Sequence, residues 1–79
     1  MEYIALFFTH SGAIKYDKFL KEKGIKSMMT PVPRKLSSSC GVGNIFEYNG
    51  SIETIISEDI DKVFKIEKRE YSLVYSSEE

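Results

Sequence analysis

Several features that would mark a particular class of protein are scarce in this sequence. Its 79 residues include a single cysteine, Cys40, and no tryptophan. One cysteine forms no intramolecular disulfide and does not build the paired-cysteine pattern of a structural zinc site. The longest uninterrupted apolar run, Ile4 to Phe8, is far shorter than the roughly 20 residues that cross a bilayer as a helix. We therefore expect no disulfide framework, no metal centre and no membrane span.

An excess of charge of either sign is also missing. The chain has 11 Lys and Arg residues against 12 Asp and Glu residues, for a net charge of -1. Domains that bind nucleic acid or an anionic membrane surface through bulk positive charge usually carry a clear basic excess. We therefore expect neither nucleic acid nor a membrane as a partner.

The composition is that of one small folded domain. Hydrophobic residues make up 42% of the chain and aromatic residues 13%, ordinary values for a globular protein. We expect a single domain over residues 1–79, with no cofactor, and a disordered polar tail at 76–79. Met1-Glu2-Tyr3 lacks the basic start of a signal peptide. Together with the lone cysteine, this predicts a cytoplasmic protein.

The hydrophobic pattern predicts four strands and two helices. The apolar run near the N-terminus is typical of a central strand, because it is apolar on both faces. Ser11 is a candidate N-cap for the first helix, and Gly24 is a typical stop. Ser57-Glu58-Asp59 is typical of the capped start of a second helix. In chain order, we predict a strand at 4–8, a helix at 11–23, strands at 25–30 and 45–48, a helix at 57–67 and a strand at 71–75.

One segment supports two interpretations. Asn49-Gly50 favours a type I′ hairpin turn, which would make residues 51–56 a short return strand. The isoleucines in and after this segment also keep helical spacing, which would make it part of the second helix. The sequence does not choose between the two.

The order strand, helix, strand, strand, helix, strand predicts an α+β fold. Its compact solution is a ferredoxin-like βαββαβ two-layer sandwich, with an antiparallel sheet and two helices on one face. In that fold, the end of the first strand, the start of the first helix and the loop between the second and third strands share one edge of the sheet. We therefore expect a site at this edge, with Lys68 and Arg69 nearby at the end of the second helix. The candidate site residues are His10, Ser11, Gly12, Arg34, Lys35, Ser37, Ser38, Ser39, Cys40 and Gly41.

Cys40 is the strongest candidate for chemistry in this set. A thiol reacts as the thiolate, which nearby cations and a helix N-terminus favour. Arg34 and Lys35 lie shortly upstream of Cys40 in the same loop. We therefore predict that Arg34 favours the thiolate, so that Arg34→Ala slows alkylation of the thiol. The alternative is a buried and inert side chain, because cysteine is among the most buried residue types.

His10 is the only histidine, and it follows the first predicted strand directly. Histidine titrates close to neutral pH, which suits a proton shuttle for a thiol at the same edge. The alternative is a solvated residue of the turn. We predict that the imidazole of His10 and the sulfur of Cys40 lie within one side-chain length of each other.

The stretch Pro31-Val32-Pro33-Arg34-Lys35-Leu36-Ser37-Ser38-Ser39-Cys40-Gly41 resembles the motif of the selenium/sulfur carrier-like family, a group of short prokaryotic proteins. That motif is Pro-Val-Pro-Arg, two variable positions, a run of small residues and then Cys-Gly. Residues 6–13 and 70–75 also resemble this family, whereas 49–57 matches it least. The resemblance implies that Cys40 carries sulfur or selenium as a persulfide or selenosulfide. It implies a relay between donor and acceptor proteins, such as a cysteine desulfurase, rather than an enzyme.

A second hypothesis belongs to a different class of function. A binding or regulatory module of the same fold would hold a small anion at the loop from Arg34 to Gly41, using backbone N–H groups there and at the start of the first helix. Two copies of such a module would pair as a homodimer through an exposed part of the sheet. This hypothesis predicts that Cys40→Ser leaves ligand binding unchanged.

Overall fold

Five strands and one α-helix form the regular structure of residues 1–36 and 40–78, the part of the chain that the computed structural model describes. A short 3₁₀ helix, Ile52–Ile55, follows the third strand. Within the same residues, no helix is long and apolar enough to cross a membrane. The elements are β1 (Glu2–Phe7), α1 (His10–Glu22), β2 (Ser27–Pro31), β3 (Val42–Glu47), β4 (Ile60–Glu67) and β5 (Glu70–Ser76).

The five strands form one antiparallel sheet with the order β2-β3-β1-β4-β5. β1 is the central strand, as its apolar run predicted, and all its residues after Glu2 are buried. β3 lies between β1 and β2, so α1 connects two parallel strands that are not adjacent. This arrangement brings the loop between β2 and β3 beside the end of β1, where Leu6 pairs with Gly43.

The predicted ferredoxin-like βαββαβ fold is wrong, because residues 57–67 do not form a second helix. Residues 60–67 are instead strand β4, paired with β1 on one side and β5 on the other. A strand covered on both faces carries apolar residues on both, and such a run imitates helical spacing. Val63 pairs with Ala5, which lies on the face of the sheet that α1 covers. Phe64 pairs with Ile4, which lies on the opposite face. The hydroxyl of Ser57 does accept a hydrogen bond from the backbone N–H of Asp59, at 3.3 Å, but this turn leads into a strand.

Neither interpretation of residues 51–56 is correct, because Ile52–Ile55 forms a 3₁₀ helix. Asn49-Gly50 lies in irregular backbone before this helix and does not join two paired strands. A two-residue hairpin turn is found instead between β4 and β5, at Lys68-Arg69, where Glu67 pairs with Glu70. The strongest turn signal in the sequence therefore marks the wrong place for the hairpin.

The main core lies between α1 and one face of the sheet. Tyr16 is at its centre, with 2% of its surface exposed and its ring centroid 5.5 Å from that of Phe7. Its hydroxyl donates a hydrogen bond of 2.7 Å to the carbonyl of Ile55, which ties the 3₁₀ helix to α1. Burial raises the pKa of Tyr16 well above its usual value, so the hydroxyl stays protonated and remains a donor. The core residues are Tyr3, Ala5, Phe7, Ala13, Tyr16, Leu20, Phe46, Ile55, Ile60 and Val63.

A polar cluster around Asp17 attaches α1 to the neighbouring strands. Its carboxylate accepts hydrogen bonds from Lys21 at 2.6 Å, from Ser27 in β2 at 2.9 Å and from the buried Asn44 in β3 at 2.8 Å. Burial alone would raise the pKa of Asp17, but these hydrogen bonds and the Lys21 charge outweigh it and hold that pKa below its usual value. Folding therefore favours the ionised form of this carboxylate.

Replacing this carboxylate should make the stability loss depend on pH. At pH 7, we expect Asp17→Asn to lower the free energy of unfolding by about 1–2 kcal/mol, because it removes hydrogen bonds to a charged group. A lowered folded-state pKa stabilises the protein above the unfolded pKa of about 3.9, and this contribution is lost as the pH falls through the folded value. Urea unfolding of both proteins from pH 7 to pH 3 should therefore show the difference shrinking below about pH 4. The exposed Glu22→Gln on the same helix is the control, and an equal loss for both variants at pH 7 would contradict the prediction.

The β4–β5 turn carries two residues in a conformation that L-amino acids seldom adopt. Lys68 has a φ of 50° and Arg69 a φ of 67°. Two-residue hairpin turns with positive φ at both positions normally use Asn-Gly, because other side chains clash with the backbone there. The chain thus places two long cationic side chains where smaller residues would be more stable.

Removing this strain should raise the stability of the protein. We expect Lys68→Asn combined with Arg69→Gly to increase the free energy of unfolding by about 1 kcal/mol, and so to raise Tm by about 4–8 °C. The matched control, Lys68→Ala with Arg69→Ala, removes the same charges but still requires positive φ at both positions. It should not raise Tm in calorimetry, and a similar increase for both variants would show that charge rather than strain is responsible.

Candidate functional site

The first part of the site is the edge where β1 ends and α1 begins. Thr9 is the N-cap of α1, and its hydroxyl accepts a hydrogen bond of 3.0 Å from the backbone N–H of Gly12. The prediction that Ser11 is the N-cap is wrong, because Ser11 already lies inside the helix and is exposed. Gly12 is buried against Asp59, where an added Cβ would come within 2.9 Å of the Asp59 Cβ. Gly12 therefore serves close packing of the helix start.

Cys40 lies at the end of the loop that joins β2 to β3. The backbone N–H of Val32 donates to the carbonyl of Gly41 at 3.1 Å, which closes the loop next to Cys40. Gly41 has a φ of 75°, so the turn at this point needs a glycine. The Cys40 thiol is half-buried, packs against the edge of the main core and donates to the carbonyl of Val42 at 3.3 Å. The side chain is thus neither fully exposed nor sealed inside the protein.

His10 and Cys40 are in direct contact. The Nε2 atom of His10 lies 2.7 Å from the backbone carbonyl oxygen of Cys40. Because a carbonyl oxygen only accepts hydrogen bonds, Nε2 must carry the hydrogen of this bond. In a neutral imidazole, the other ring nitrogen, Nδ1, is then an acceptor. His10 is the first residue of α1 and is exposed. The structure therefore brings His10 and Cys40 to the same edge of the sheet, through the backbone of Cys40, and the approach of the imidazole to the sulfur stays a prediction.

The meeting of His10 and Cys40 follows from strand pairing and not from the predicted second helix. β1 and β3 are antiparallel neighbours, with Leu6 opposite Gly43. Residues just after Phe7 and just before Val42 must therefore lie at the same end of the sheet. The incorrect fold prediction shares this pairing, which explains why the proximity was predicted correctly.

Arg34 and Lys35 lie near Lys68 and Arg69, as predicted. They line an open groove of about 630 Å³ together with Lys68 and Arg69. The groove also includes Glu2, at the opposite end of β1 from His10. A six-residue strand spans about 17 Å between its first and last residues. The expectation that Lys68 and Arg69 lie near Cys40 is therefore wrong, and the effect of Arg34 on the Cys40 thiol remains a prediction.

This groove lies on the face of the sheet that α1 does not cover. Ile45 and Ile66 form part of its floor, and they pair with Ile4 and Glu2 of β1, which point away from the helix. Because Pro33, Arg34 and Lys35 line the same groove, the first residues after β2 lie over this second face. The candidate site is therefore divided into two parts. We call His10, Gly12, Cys40 and Gly41 the thiol edge, and we call Arg34, Lys35, Lys68 and Arg69 the basic groove.

Some candidate residues lie outside this description, and some functional residues were missed. Ser37, Ser38 and Ser39 fall outside the described residues. Thr9 was missed as the N-cap, although threonine is a favoured residue there. The position of the basic groove on the second face of the sheet was also missed, because it depends on strand pairing that the sequence does not reveal.

Comparison with known proteins confirms the family that the sequence resembles. Residues 2–70 match the model of the family described as "Putative Se/S carrier protein-like". The matched range runs from the start of β1 to the start of β5 and contains Cys40. Neither a curated protein nor a solved structure matches the chain significantly. The matching description is that of a carrier protein.

Proposed function

Since the chain belongs to the Se/S carrier protein-like family, we propose that Cys40 accepts a sulfur or selenium atom and passes it to an acceptor. The observation that carries this proposal is the placement of the chain's single thiol. Cys40 is half-buried at the edge of the sheet, at the end of a loop, and is held there by His10. A carrier needs a thiol that a second protein can reach, and a loop end at a sheet edge supplies one.

The transfer moves one sulfur atom without a net oxidant. The Cys40 thiolate attacks the outer sulfur of a donor persulfide. A new S–S bond forms at Cys40, the S–S bond of the donor breaks, and the donor thiolate leaves and takes up the proton. Attack by an acceptor thiolate on the outer sulfur of the Cys40 persulfide then restores the thiol. A selenosulfide would form and discharge in the same way, with selenium as the transferred atom.

His10 has two roles in this proposal. Its Nε2–H holds the Cys40 carbonyl, and so positions the end of the loop. Its Nδ1 atom is then the proton acceptor for the thiol during attack. We expect His10→Gln to retain a donor for the carbonyl but to lose the proton acceptor.

Variants of His10 should separate these roles. If Nδ1 accepts the proton, His10→Gln and His10→Ala should both slow alkylation of Cys40 by iodoacetamide near neutral pH, by about tenfold. The rates are measured by quenching the alkylation at set times and following the intact mass of the protein by mass spectrometry. A normal rate in His10→Gln with a changed rate in His10→Ala would restrict His10 to positioning.

The carrier function is tested by loading the protein with sulfur. The protein is incubated with a cysteine desulfurase and cysteine, and its intact mass is measured before and after addition of dithiothreitol. We expect a gain of one sulfur atom, which the reductant reverses. Protein alkylated at Cys40 beforehand should gain nothing. Failure to gain sulfur, while an established carrier is loaded in the same mixture, would contradict the proposal.

A further inference from the structure

We propose that the basic groove is a docking site for an acidic segment of a partner protein, in which carboxylate side chains alternate with apolar ones. Arg34 and Lys35 enter the groove from the loop after β2, and Lys68 and Arg69 enter from the β4–β5 turn. Two segments more than 30 residues apart in the chain thus place four cations around one groove.

The charge of the groove contrasts with that of the molecule. The whole chain has a net charge of -1, yet four of its 11 Lys and Arg residues meet here. Among the described residues that line the groove, Glu2 is the only acidic one. All four cations are exposed. Among residues 1–36 and 40–78, the ion pairs involve Lys15, Lys21, Lys62 and Lys65, and none of the four groove cations. The groove therefore presents four cations that form no ion pair with another described side chain.

The shape and floor of the groove favour a polypeptide over a small molecule. Pockets for small ligands enclose most of the ligand surface, whereas this groove is open and its cations are exposed. Its floor includes Ile45, Ile66 and the ring of Tyr71. An apolar floor with a cationic rim is complementary to a segment that carries both apolar and acidic side chains.

The strained turn gives independent support. Lys68 and Arg69 both have positive φ, although Asn-Gly would fit this turn without strain. Residues that keep a strained backbone often do so for function. In this protein, the strained turn carries two of the four cations of the groove.

The docking site extends the carrier proposal, and the identity of the partner as a sulfur donor or acceptor rests on that proposal. The binding itself does not require Cys40. The loop from Val32 to Gly41 contacts the groove at Arg34 and ends at Cys40. A partner in the groove would therefore contact the loop that carries the thiol.

Binding is tested with a fluorescent synthetic peptide in which Asp and Glu alternate with Leu and Tyr. A second peptide, with Asn and Gln in place of the acids, is the control for charge. Anisotropy is measured with the Cys40→Ser protein, so that thiol chemistry plays no part. We expect the acidic peptide to bind more tightly than the neutral one, and its binding to weaken as salt rises, because the groove cations are exposed.

Four variants decide where the peptide binds. We expect Lys68→Glu with Arg69→Glu, and Arg34→Glu with Lys35→Glu, each to weaken binding about tenfold, because each exposed contact is modest and reversal adds repulsion. Lys68→Asn with Arg69→Gly should weaken binding about threefold while raising Tm, so that misfolding does not explain the loss. The control with equal charge change, Lys15→Glu with Lys18→Glu on exposed positions of α1, should bind as the unchanged protein does.

The outcomes separate this inference from the carrier function. Equal binding of both peptides, or equal loss in the α1 control and the groove variants, would overturn the docking site. With Cys40 retained, Lys68→Glu with Arg69→Glu should still react with iodoacetamide at the normal rate, because this turn lies at the opposite end of the sheet from Cys40. Peptide binding by a protein that never accepts sulfur would support the docking site and reject the carrier, whereas sulfur loading without peptide binding would do the reverse.

Discussion

Replacing Tyr16 with alanine should lower the free energy of unfolding by about 3–5 kcal/mol, which is a large share of the roughly 4–12 kcal/mol expected for a domain of this size. The side chain is 2% exposed and packs against the rings of Phe7, Phe19 and Phe46. Alanine would leave a cavity between α1 and the sheet. It would also leave the carbonyl of Ile55 without its donor. Urea unfolding followed by circular dichroism measures the loss.

Tyr16→Phe separates the cavity from the hydrogen bond. Phenylalanine keeps the ring and loses only the donor to Ile55, so the expected cost is about 1–2 kcal/mol. A larger loss for alanine than for phenylalanine supports packing as the main contribution of Tyr16. Equal losses for the two variants would show that the link between α1 and the 3₁₀ helix matters more than the filled core.

The first half of the fold could be predicted from the sequence, because each element there has one dominant signal. The run 4–8 is apolar on both faces, which favours a central strand, and β1 is that strand. The helical repeat that ends before Gly24 predicts α1, and Gly24 adopts a φ of 76° just after the helix. The strands predicted at 25–30 and 45–48 correspond to β2 (Ser27–Pro31) and β3 (Val42–Glu47), with shifted bounds. Local propensity and tertiary structure agree in all of these elements.

The second half could not be predicted, because its signals compete. β4 has apolar residues on both faces of the sheet, and these residues repeat like those of a helix. Asn49-Gly50 has the composition of a hairpin turn, but the hairpin forms at Lys68-Arg69, whose residues are unfavourable for it. Tertiary pairing overrides local preference at both places. The unfavourable turn at Lys68-Arg69 lies in the basic groove.

The candidate site was likewise predictable only in part. The contact between His10 and Cys40 depends only on the pairing of β1 with β3, and that pairing is common to the predicted and observed sheets. The position of Arg34 depends on the path of a loop across the second face of the sheet. Neither periodicity nor residue spacing reports such a path. Proximity along the chain therefore did not predict that Arg34 lies over the second face of the sheet.

Removing the Cys40 thiol should abolish sulfur relay completely, which is the largest functional effect that we predict. Cys40→Ser keeps the size of the side chain but offers no thiolate, so it should neither accept sulfur from a desulfurase nor deliver it. The matched control adds Lys18→Cys to Cys40→Ser and places a thiol on an exposed position of α1, away from the thiol edge. That thiol should react with iodoacetamide, yet it should be loaded by the desulfurase far more slowly than Cys40.

Discharge of sulfur from the loaded protein tests the carrier function most directly. The protein is loaded, freed of desulfurase and cysteine, and mixed with a thiol acceptor, and the intact masses of protein and acceptor are followed with time. We predict that the protein loses one sulfur atom as the acceptor gains one, and that the recovered protein can be loaded again. A persulfide on Cys40 that persists while the acceptor stays unchanged would show a modified cysteine and contradict a carrier.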